Sequence, residues 1–247
     1  MKIMSLSLII PVYNEENQVT NTIKNITKLK KRINNLEIIF INDFSSDNTL
    51  LLIKKLITNK KYIKIYNNKK KGLGSAIEVG ILNSKKNYAC IFMADMSDDI
   101  NDVIKYYKEI NNNNLDAVLG SRFNTQSNVK DYPKVKFFLN RIFNNFVRLI
   151  YFSKYNDFTN AFKIYKLKTL KKLLPIVSEN FNVFLELPLK IIGRKYKYKI
   201  IPINWKNRKI GKSNFKIKEL SSMYIFTLLY CLLERILINK NLKNKEL

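Results

Sequence analysis

Short apolar runs rich in β-branched residues alternate with helical patterns over the first half of the chain. Between the runs, apolar residues recur at helical spacing, as Val19, Ile23 and Ile26 do. This alternation is typical of an α/β domain, in which crossover helices flank a mostly parallel sheet. The runs that predict strands are residues 6–10, 37–41, 63–66, 88–93 and 117–119.

The second half of the chain is less regular. An amphipathic helix is predicted at residues 133–150 and a shorter helix at 184–192. Two further strands are predicted at residues 161–165 and 198–203.

One more helical pattern lies at the end of the chain. It begins near Lys216 and contains an apolar run at residues 223–233, which is too short to cross a bilayer. The chain has no internal repeat and no linker rich in Gly, Ser or Pro. We therefore expect one main domain at residues 1–215 and a helical tail at residues 216–247.

Polar side chains follow three of the predicted strands, at the point where each strand ends. Glu15 follows the first strand, Asp43 the second and Asp95 the fourth. In an open α/β sheet such turns meet at the carboxyl edge, where ligands bind. Crowded carboxylates repel one another unless a cation or hydrogen-bond donors lie among them. The pattern therefore predicts a ligand site at this edge.

The acidic run after the fourth strand offers three carboxylates. Asp98 and Asp99 precede a predicted helix, and the helix N-terminus explains them as well as a ligand does. Asp95 lies closer to the end of the strand. Because Mg²⁺ or Mn²⁺ takes one or two carboxylates plus diphosphate oxygens, Asp95 is the preferred cation ligand of the three.

Charge and composition narrow the chemistry. The 247 residues carry 45 Lys and Arg against 19 Asp and Glu, and the net charge of +26 favours a polyanionic partner such as nucleic acid, anionic lipid or a phosphorylated substrate. A general bias toward Lys explains part of this excess. The chain has no His, which excludes nucleophile activation, metal ligation and proton transfer by that residue. Cys90 and Cys231 lie in apolar runs and are typical of core positions in a reducing compartment.

Two further segments admit alternatives. Gly72 and Gly74 match neither the dinucleotide-binding nor the P-loop pattern, and a tight turn at the start of a helix explains them. Residues 205–213 are rich in Lys and Arg, as a solvated loop would be. Arg208 in this segment also has the planar fork that suits phosphate.

Seven fragments stand in a fixed order between residues 5 and 220: IIPVYNEEN, INDFSSDNT, GLGSAIEVG, MADMSDD, GSRF, DFTNAFKIYK and NWKNRKIGKS. In this order they resemble the family 2 glycosyltransferases of GT-A fold, and within them the dolichyl-phosphate mannose synthase-like group. The resemblance implies a Rossmann-like α/β domain whose mostly parallel sheet is flanked by helices, followed by a C-terminal amphipathic helix.

The resemblance also implies a role for each matching residue. Asp95 and Ser97 would hold Mg²⁺ or Mn²⁺, and the catalytic residues would be Asp95, Lys136 and Arg208, the last two facing the phosphates. The residues implied in substrate binding are Pro11, Tyr13, Glu15, Asp43, Ala94, Arg122 and Ser213.

Three positions depart from the family pattern. Met93 stands where the first Asp of the metal motif is frequent, and Asn42 replaces the first Asp of an Asp-Asp pair. Lys136 replaces an Arg, and it is a point charge without the bidentate fork. These departures bear on the base and the sugar more than on the type of reaction.

The implied reaction is the inverting transfer of a sugar from a nucleotide-sugar donor, GDP-mannose or similar, to a polyprenyl or dolichyl phosphate. The acceptor phosphate is ionised at neutral pH, so no general base is required. The alternative is a family 2 transferase that acts on a non-lipid sugar hydroxyl in polysaccharide synthesis, with Asp157 or Glu186 as its base. A basic nucleic-acid-binding domain is disfavoured, because the aromatic residues fall mostly inside apolar helix patterns.

The terminal helix bears on where the protein acts. Its apolar run has Lys-rich flanks and suits an interfacial helix, so we expect peripheral attachment at the cytoplasmic face of a membrane. Packing of residues 223–238 on the catalytic core or on a second subunit is the alternative.

Overall fold

The computed structural model describes the backbone of residues 5–207 and 217–243, and the side chains of residues 5–207 and 222–238. Its main sheet has seven strands: β1 (Ser5–Val12), β2 (Asn35–Asn42), β3 (Ile63–Asn67), β4 (Tyr88–Ile91), β5 (Ala117–Ser121), β7 (Lys163–Lys166) and β8 (Tyr198–Pro202). Their order across the sheet is β3-β2-β1-β4-β7-β5-β8. Only β7 is antiparallel to its neighbours, so the prediction of a mostly parallel sheet is confirmed.

The strand bounds differ from the sequence prediction by one or two residues, and two strands lack two of the predicted residues at one end. β4 ends at Ile91, two residues earlier than predicted. The chain then enters a turn in which Met96 N–H donates to Met93 O at 3.4 Å and Met96 has a left-handed conformation with φ of 57°. β7 begins at Lys163, two residues later than predicted. The preceding turn, in which Asn160 N–H donates to Asp157 O at 3.2 Å, takes up the residues before it.

Helices cover both faces of the sheet. They are α1 (Glu16–Ile26), α2 (Thr49–Ile57), α3 (Leu73–Asn83), α4 (Ile100–Asn112), α5 (Lys134–Tyr151), α6 (Leu167–Lys172), α7 (Val183–Gly193) and α8 (Ile217–Lys243), with a 3₁₀ turn at Thr27–Lys31.

The core has two parts, one on each face of the sheet. Ile9 and Ile39 point into the part that contains α3, α7 and α8, whereas Leu8 and Ile38 point into the part that contains α1 and α4. Successive side chains of a strand face opposite sides of a sheet, and here both sides are covered. This explains why the strands are almost continuously apolar.

The amphipathic helix predicted at residues 133–150 is present as α5, but most of its apolar side is not covered. Val135, Phe138 and Leu149 are 69%, 65% and 71% exposed. The buried side chains of α5 are instead Asn144, Val147 and Tyr151. The helical period was therefore predicted correctly, and the structure leaves an apolar face open to solvent.

The terminal helix α8 packs against α7. Glu234 of α8 accepts from Arg194 Nε at 2.8 Å, and Thr227 Oγ1 accepts from Asn182 Nδ2 at 2.9 Å. The opposite side of α8 is exposed, as Phe226 and Leu229 show. Within the described residues, no helix combines the length and apolarity needed to span a membrane.

A second, two-stranded sheet was not predicted. It pairs β6 (Asn128–Lys130) with β9 (Asn204–Lys206) in parallel. A single bridge between Asp98 and Trp205 joins β9 to the acidic turn after β4. The small sheet therefore closes over the edge of the main sheet at which the site was predicted.

Candidate functional site

A cavity of about 700 Å³ lies at the carboxyl ends of β1, β2 and β4. Arg208 and Ser213, which the sequence also proposed, lie outside the described residues. The structure brings the other nine proposed residues together, while their individual roles stay predictions. The nine that line the cavity are Pro11, Tyr13, Glu15, Asp43, Ala94, Asp95, Ser97, Arg122 and Lys136.

Asp43 is held by a dense set of hydrogen bonds directly after β2. Its Oδ1 accepts from Asn68 Nδ2 at 2.7 Å and from Gly72 N–H at 2.9 Å. The same Gly72 N–H also reaches Asp43 Oδ2 at 3.2 Å. Since Asp43 is only 8% exposed and its own N–H donates to Val12 O, the orientation of the carboxylate is fixed.

Gly72 has a conformation that glycine tolerates best. Its φ is 138°, and a Cβ at this position would lie 2.7 Å from the carbonyl oxygen of Glu179. Gly74 N–H donates to that carbonyl at 3.0 Å. The predicted glycine turn at the start of a helix is thus confirmed, and it packs directly on the loop that precedes α7.

Asn68 was missed by the sequence reasoning. It is buried, and its side-chain carbonyl accepts from Ser75 Oγ at 2.8 Å and from Lys69 N–H at 2.9 Å. Its amide donates to Asp43 and, at 3.1 Å, to Gly72 O. No local signal distinguishes Asn68 within an Asn- and Lys-rich segment, because its role depends on contact with a different strand.

Asp95 and Ser97 form the turn at the end of β4 that the sequence assigned to a cation. Ser97 N–H donates to Asp95 Oδ1 at 3.0 Å, and both residues line the cavity. No cluster of three or more acidic or sulfur ligands occurs in the described part of the chain. The residues present fit Mg²⁺ or Mn²⁺, which keeps several positions for water and diphosphate oxygens.

The structure distinguishes the two acids that follow. Asp99 caps α4 by accepting from Asn101 N–H at 2.8 Å, as a helix N-terminus requires. Asp98 is buried and lines the cavity, and its Oδ1 has no hydrogen-bond partner among the described residues. Burial, with a smaller contribution from the charge of Asp95, raises the pKa of Asp98 to about 8.

Arg122 forms a buried ion pair with Asp157. Its backbone N–H, Nε and Nη2 donate to the two carboxylate oxygens at 2.8, 2.9 and 2.7 Å. Burial lowers the pKa of Arg122, but the charge of Asp157 and its hydrogen bond outweigh this and raise it above its ordinary value. The guanidinium also lies 5.4 Å from the ring of Tyr132 and 5.8 Å from that of Trp205, so it forms part of the cavity wall.

Lys163 is a second buried cation close to this pair. Its Nζ donates to the carbonyl oxygens of Phe158 and Phe184, each at 3.2 Å, and to that of Asn160. Burial lowers the pKa of Lys163 to about 7, although Asp157 acts in the opposite direction. Lys163 therefore holds the turn before β7 in place from inside the core.

The two carboxylates proposed as a general base for the alternative function have other partners. Glu186 is buried, forms an ion pair with Lys190 at 2.6 Å and accepts from the N–H groups of Val177 and Ser178. Asp157 is occupied by Arg122, and neither acid lines the cavity. The structure therefore does not support either residue as a base.

The side of the cavity away from the sheet is apolar. Leu139 and Phe143 of α5 and Met223 and Ile225 of α8 line it. The rings of Phe143 and Tyr224 meet edge to face with centroids 5.5 Å apart, which joins the two helices at the cavity. The exposed apolar faces of α5 and α8 continue from this side into solvent.

Known proteins resemble this chain in sequence or in fold. Dolichyl-phosphate β-glucosyltransferase of Dictyostelium discoideum is 27% identical over 220 residues, which cover 81% of this chain and 66% of that protein. UDP-N-acetylglucosamine–dolichyl-phosphate N-acetylglucosaminyltransferase of Methanococcus voltae is 31% identical over 148 residues, 52% of this chain and 56% of that protein. The chain thus spans two thirds or less of the length of these relatives.

Among solved structures, glucosyl-3-phosphoglycerate synthase of Mycobacterium tuberculosis, in complex with Mn²⁺, UDP and glucosyl-3-phosphoglycerate, superimposes with a TM-score of 0.68. The match covers 93% of this chain and 80% of that chain at 16% sequence identity, and it shows that the two share the GT-A fold. A family model described as glycosyl transferase family 2 matches residues 7–174. Since this match covers more than half of the sequence, the chain belongs to glycosyl transferase family 2.

Proposed function

We propose that the chain is an inverting, metal-dependent glycosyltransferase that moves a sugar from a nucleotide-sugar donor to a polyprenyl phosphate. The observation that carries this proposal is the composition of the cavity. Carboxylates lie on its sheet side, where a nucleotide and a cation are expected, and apolar side chains of two helices lie on the other. The names of both relatives include dolichyl phosphate, which supports a lipid phosphate as the acceptor.

The donor nucleotide is proposed to lie along the ends of β1 and β2. Asp43 faces the base, and Tyr13 and Glu15 face the base and the ribose. The ammonium of Lys71 lies 5.1 Å from the centre of the Tyr13 ring, and Lys71 lines the same cavity. A cation at this place attracts the diphosphate of the donor without any proton transfer.

Asp95 and Ser97 are the residues proposed to hold Mg²⁺ or Mn²⁺, which would stabilise negative charge on the departing diphosphate. Lys136 projects from α5 into the same cavity and supplies a further positive charge. Arg208, outside the described residues, is proposed to act with it. These cations lower the barrier by stabilising charge that grows as the glycosidic bond to the diphosphate breaks.

The acceptor requires little acid–base chemistry from the protein. A phosphomonoester has a second pKa of about 6 and carries its attacking oxygen in ionised form at neutral pH. The cavity has to hold this oxygen in line with the anomeric carbon, and a single displacement then inverts that centre. This agrees with the engagement of Asp157 and Glu186 in buried ion pairs.

The apolar helices support a lipid acceptor and a peripheral position at the cytoplasmic face of a membrane. Phe138, Leu149 and Phe226 are 65%, 71% and 60% exposed, and α5 and α8 also line the cavity. A polyprenyl chain that leaves the cavity between these helices would stay in contact with apolar side chains. Apolar side chains on the outside of the same helices suit the acyl boundary of a bilayer.

The sugar is proposed at the level of a hexose or its N-acetyl derivative. GDP-mannose is the donor implied by the resemblance of the motifs, while the relatives carry glucosyl and N-acetylglucosaminyl in their names. Transfer to a non-lipid acceptor is the second candidate, because glucosyl-3-phosphoglycerate synthase shares the fold.

The test is transfer of radiolabelled sugar into organic-extractable lipid, with polyprenyl phosphate as the acceptor and Mn²⁺ present. We expect lipid-linked product that disappears in excess chelator. Product that forms only with a soluble acceptor such as phosphoglycerate would refute the proposal and favour the second candidate. Replacing Arg208 by Ala should slow transfer by about a hundredfold. Arg32→Ala, at an exposed position that does not line the cavity, should leave the rate unchanged.

Membrane attachment is tested by flotation with vesicles that contain anionic lipid. The double variant Phe138→Ser and Leu149→Ser should float less than the wild type, because it removes exposed apolar area from α5. The matched control replaces Leu51 and Leu82 by Ser; these are 64% and 59% exposed on other helices. Equal flotation of both double variants would refute the role of α5.

A further inference from the structure

The hydrogen bonds around Asp43 restrict what its carboxylate can still accept. A carboxylate has about four acceptor positions, two on each oxygen. Oδ1 already accepts from Asn68 Nδ2 at 2.7 Å and from Gly72 N–H at 2.9 Å, so both of its positions are filled. Oδ2 receives only the longer branch of the Gly72 bond, at 3.2 Å. One acceptor position on Oδ2 is therefore left for a ligand in the cavity.

The amide of Asn68 cannot turn to change this pattern. Its carbonyl accepts from Ser75 Oγ and Lys69 N–H, and its NH₂ donates to Asp43 Oδ1 and Gly72 O. Rotation of the amide by 180° would place its NH₂ against Lys69 N–H and its carbonyl oxygen against Asp43 Oδ1 and Gly72 O. The four contacts thus fix a donor against Asp43 Oδ1.

Nucleobases differ in the donors that they offer to a carboxylate. Uracil has a single ring N–H between two carbonyl groups. Guanine has a ring N–H beside an NH₂ group, and this pair requires both oxygens of a carboxylate. Cytosine and adenine have an unprotonated ring nitrogen at the corresponding position, and it would face the carboxylate with a lone pair.

We propose that the donor is a uridine nucleotide, whose ring N–H binds Asp43 Oδ2, and that Asn68 determines this choice by occupying Oδ1. The inference rests on the proposed function, in which Asp43 faces the base, and it names the nucleotide class of that site. A uridine donor replaces the guanosine donor implied by the resemblance of the motifs.

The expected preference for UDP follows from the hydrogen-bond donors of the other bases that would have no acceptor at this site. Guanine at this site would bury an NH₂ proton that Oδ1 has no position to accept, and an unsatisfied buried donor lowers affinity by roughly ten- to a hundredfold. Cytosine and adenine would also lose the ring N–H contact. UDP should therefore bind at least about tenfold more tightly than GDP, CDP or ADP.

Removing Asn68 should change selectivity as well as affinity. In Asn68→Ala, Oδ1 of Asp43 regains a free acceptor position, and Asp43 loses one of the hydrogen bonds that fix its orientation. UDP should bind this variant more weakly than it binds the wild type, whereas the affinity for GDP should fall less or rise. The preference for UDP over GDP should therefore become smaller. A merely structural defect would weaken both nucleotides equally and leave their ratio unchanged. Ser75→Ala, which removes only a contact to the Asn68 carbonyl, should shift the ratio in the same direction by less.

The experiment is titration calorimetry of the full chain with UDP, GDP, CDP and ADP in the presence of Mn²⁺. Asn59→Ala, in an exposed turn after α2, is the matched control and should keep the wild-type ratio. The inference is overturned if GDP binds the wild type as tightly as UDP, or if Asn68→Ala keeps the wild-type ratio. If Asn68→Ala does not fold, Ser75→Ala decides by the same criterion. Failure of all four nucleotides to bind would overturn the proposed function, and this inference with it.

Discussion

Replacement of Asp157 by Asn should destabilise the protein by about 3–5 kcal/mol, because it removes one charge from a buried ion pair and keeps the shape of the side chain. The side chains of Asp157 and Arg122 are 0% and 9% exposed. The carboxylate accepts three hydrogen bonds from Arg122, and the amide of Asn accepts through one oxygen only. The variant therefore leaves a guanidinium in the protein interior without a counter-charge.

The matched control is Glu109→Gln. Glu109 pairs with Lys199 at 2.8 Å, a distance close to that of the buried pair, but the two side chains are 30% and 49% exposed. Water screens this pair, and its loss should cost about 0–1 kcal/mol. Comparison of the two variants therefore separates the effect of burial from the effect of distance.

The measurement is urea denaturation followed by circular dichroism, with thermal unfolding as a second readout. Asp157→Asn should lower the melting temperature by roughly 10 °C, given the usual entropy of unfolding for a chain of this size. A loss below about 1 kcal/mol, similar to that of Glu109→Gln, would contradict the assignment of Asp157 to a desolvated pair. Asp157 would then be available for the role of base that its position argues against.

Three further predictions concern the cation site, the glycine turn and the buried lysine. Asp95→Asn should abolish Mn²⁺-dependent transfer and leave the circular dichroism spectrum unchanged; full turnover by this variant would refute the cation role. Gly74→Ala should destabilise the fold by more than about 3 kcal/mol in urea, since its Cβ would overlap the carbonyl oxygen of Ser178. Burial lowers the pKa of Lys163 from 10.5 to about 7, so the unfolded chain binds more protons between these values and the free energy of unfolding should rise from pH 7 to pH 10. Lys163→Met should lack this rise. The prediction would be refuted if the free energy of unfolding, measured by urea denaturation, had the same dependence on pH in both proteins.

The approximate ends of the strands were predictable from the sequence because they depend on local patterns. Apolar runs with turn residues after them located the ends of β1, β2 and β4 to within two residues, and parallel strands place these ends at one edge. For this reason Glu15 and Asp43 were expected together, and both line the cavity.

The contacts of individual polar side chains were not predictable, because they join distant parts of the chain. Asn68, directly after β3, donates to Asp43, which follows β2. Arg122, directly after β5, donates to Asp157 in the turn before β7. The resemblance implied Arg122 in substrate binding and did not indicate its partner Asp157. Asp98 was assigned equally to a helix end and to a ligand, and only the tertiary structure separates it from Asp99.

The apolar side of α5 illustrates a different gap between sequence and structure. A period of 3.6 residues identifies a helix and its apolar face, but it does not identify what covers that face. In this chain the sheet and its helices leave most of that face exposed, as Val135 and Leu149 show.

The reversed direction of β7 divides the cavity between two stretches of the gene. Lys163, the first residue of β7, pairs with Ile91, the last residue of β4, so the turn before β7 reaches the same edge as the turns after β1, β2 and β4. Codons for residues 5–99 then encode the proposed nucleotide side, and those for residues 121–225 encode most of the opposite side. On the proposed function, substitutions in the later stretch would act mainly on the acceptor, and substitutions in the earlier stretch mainly on the nucleotide of the donor.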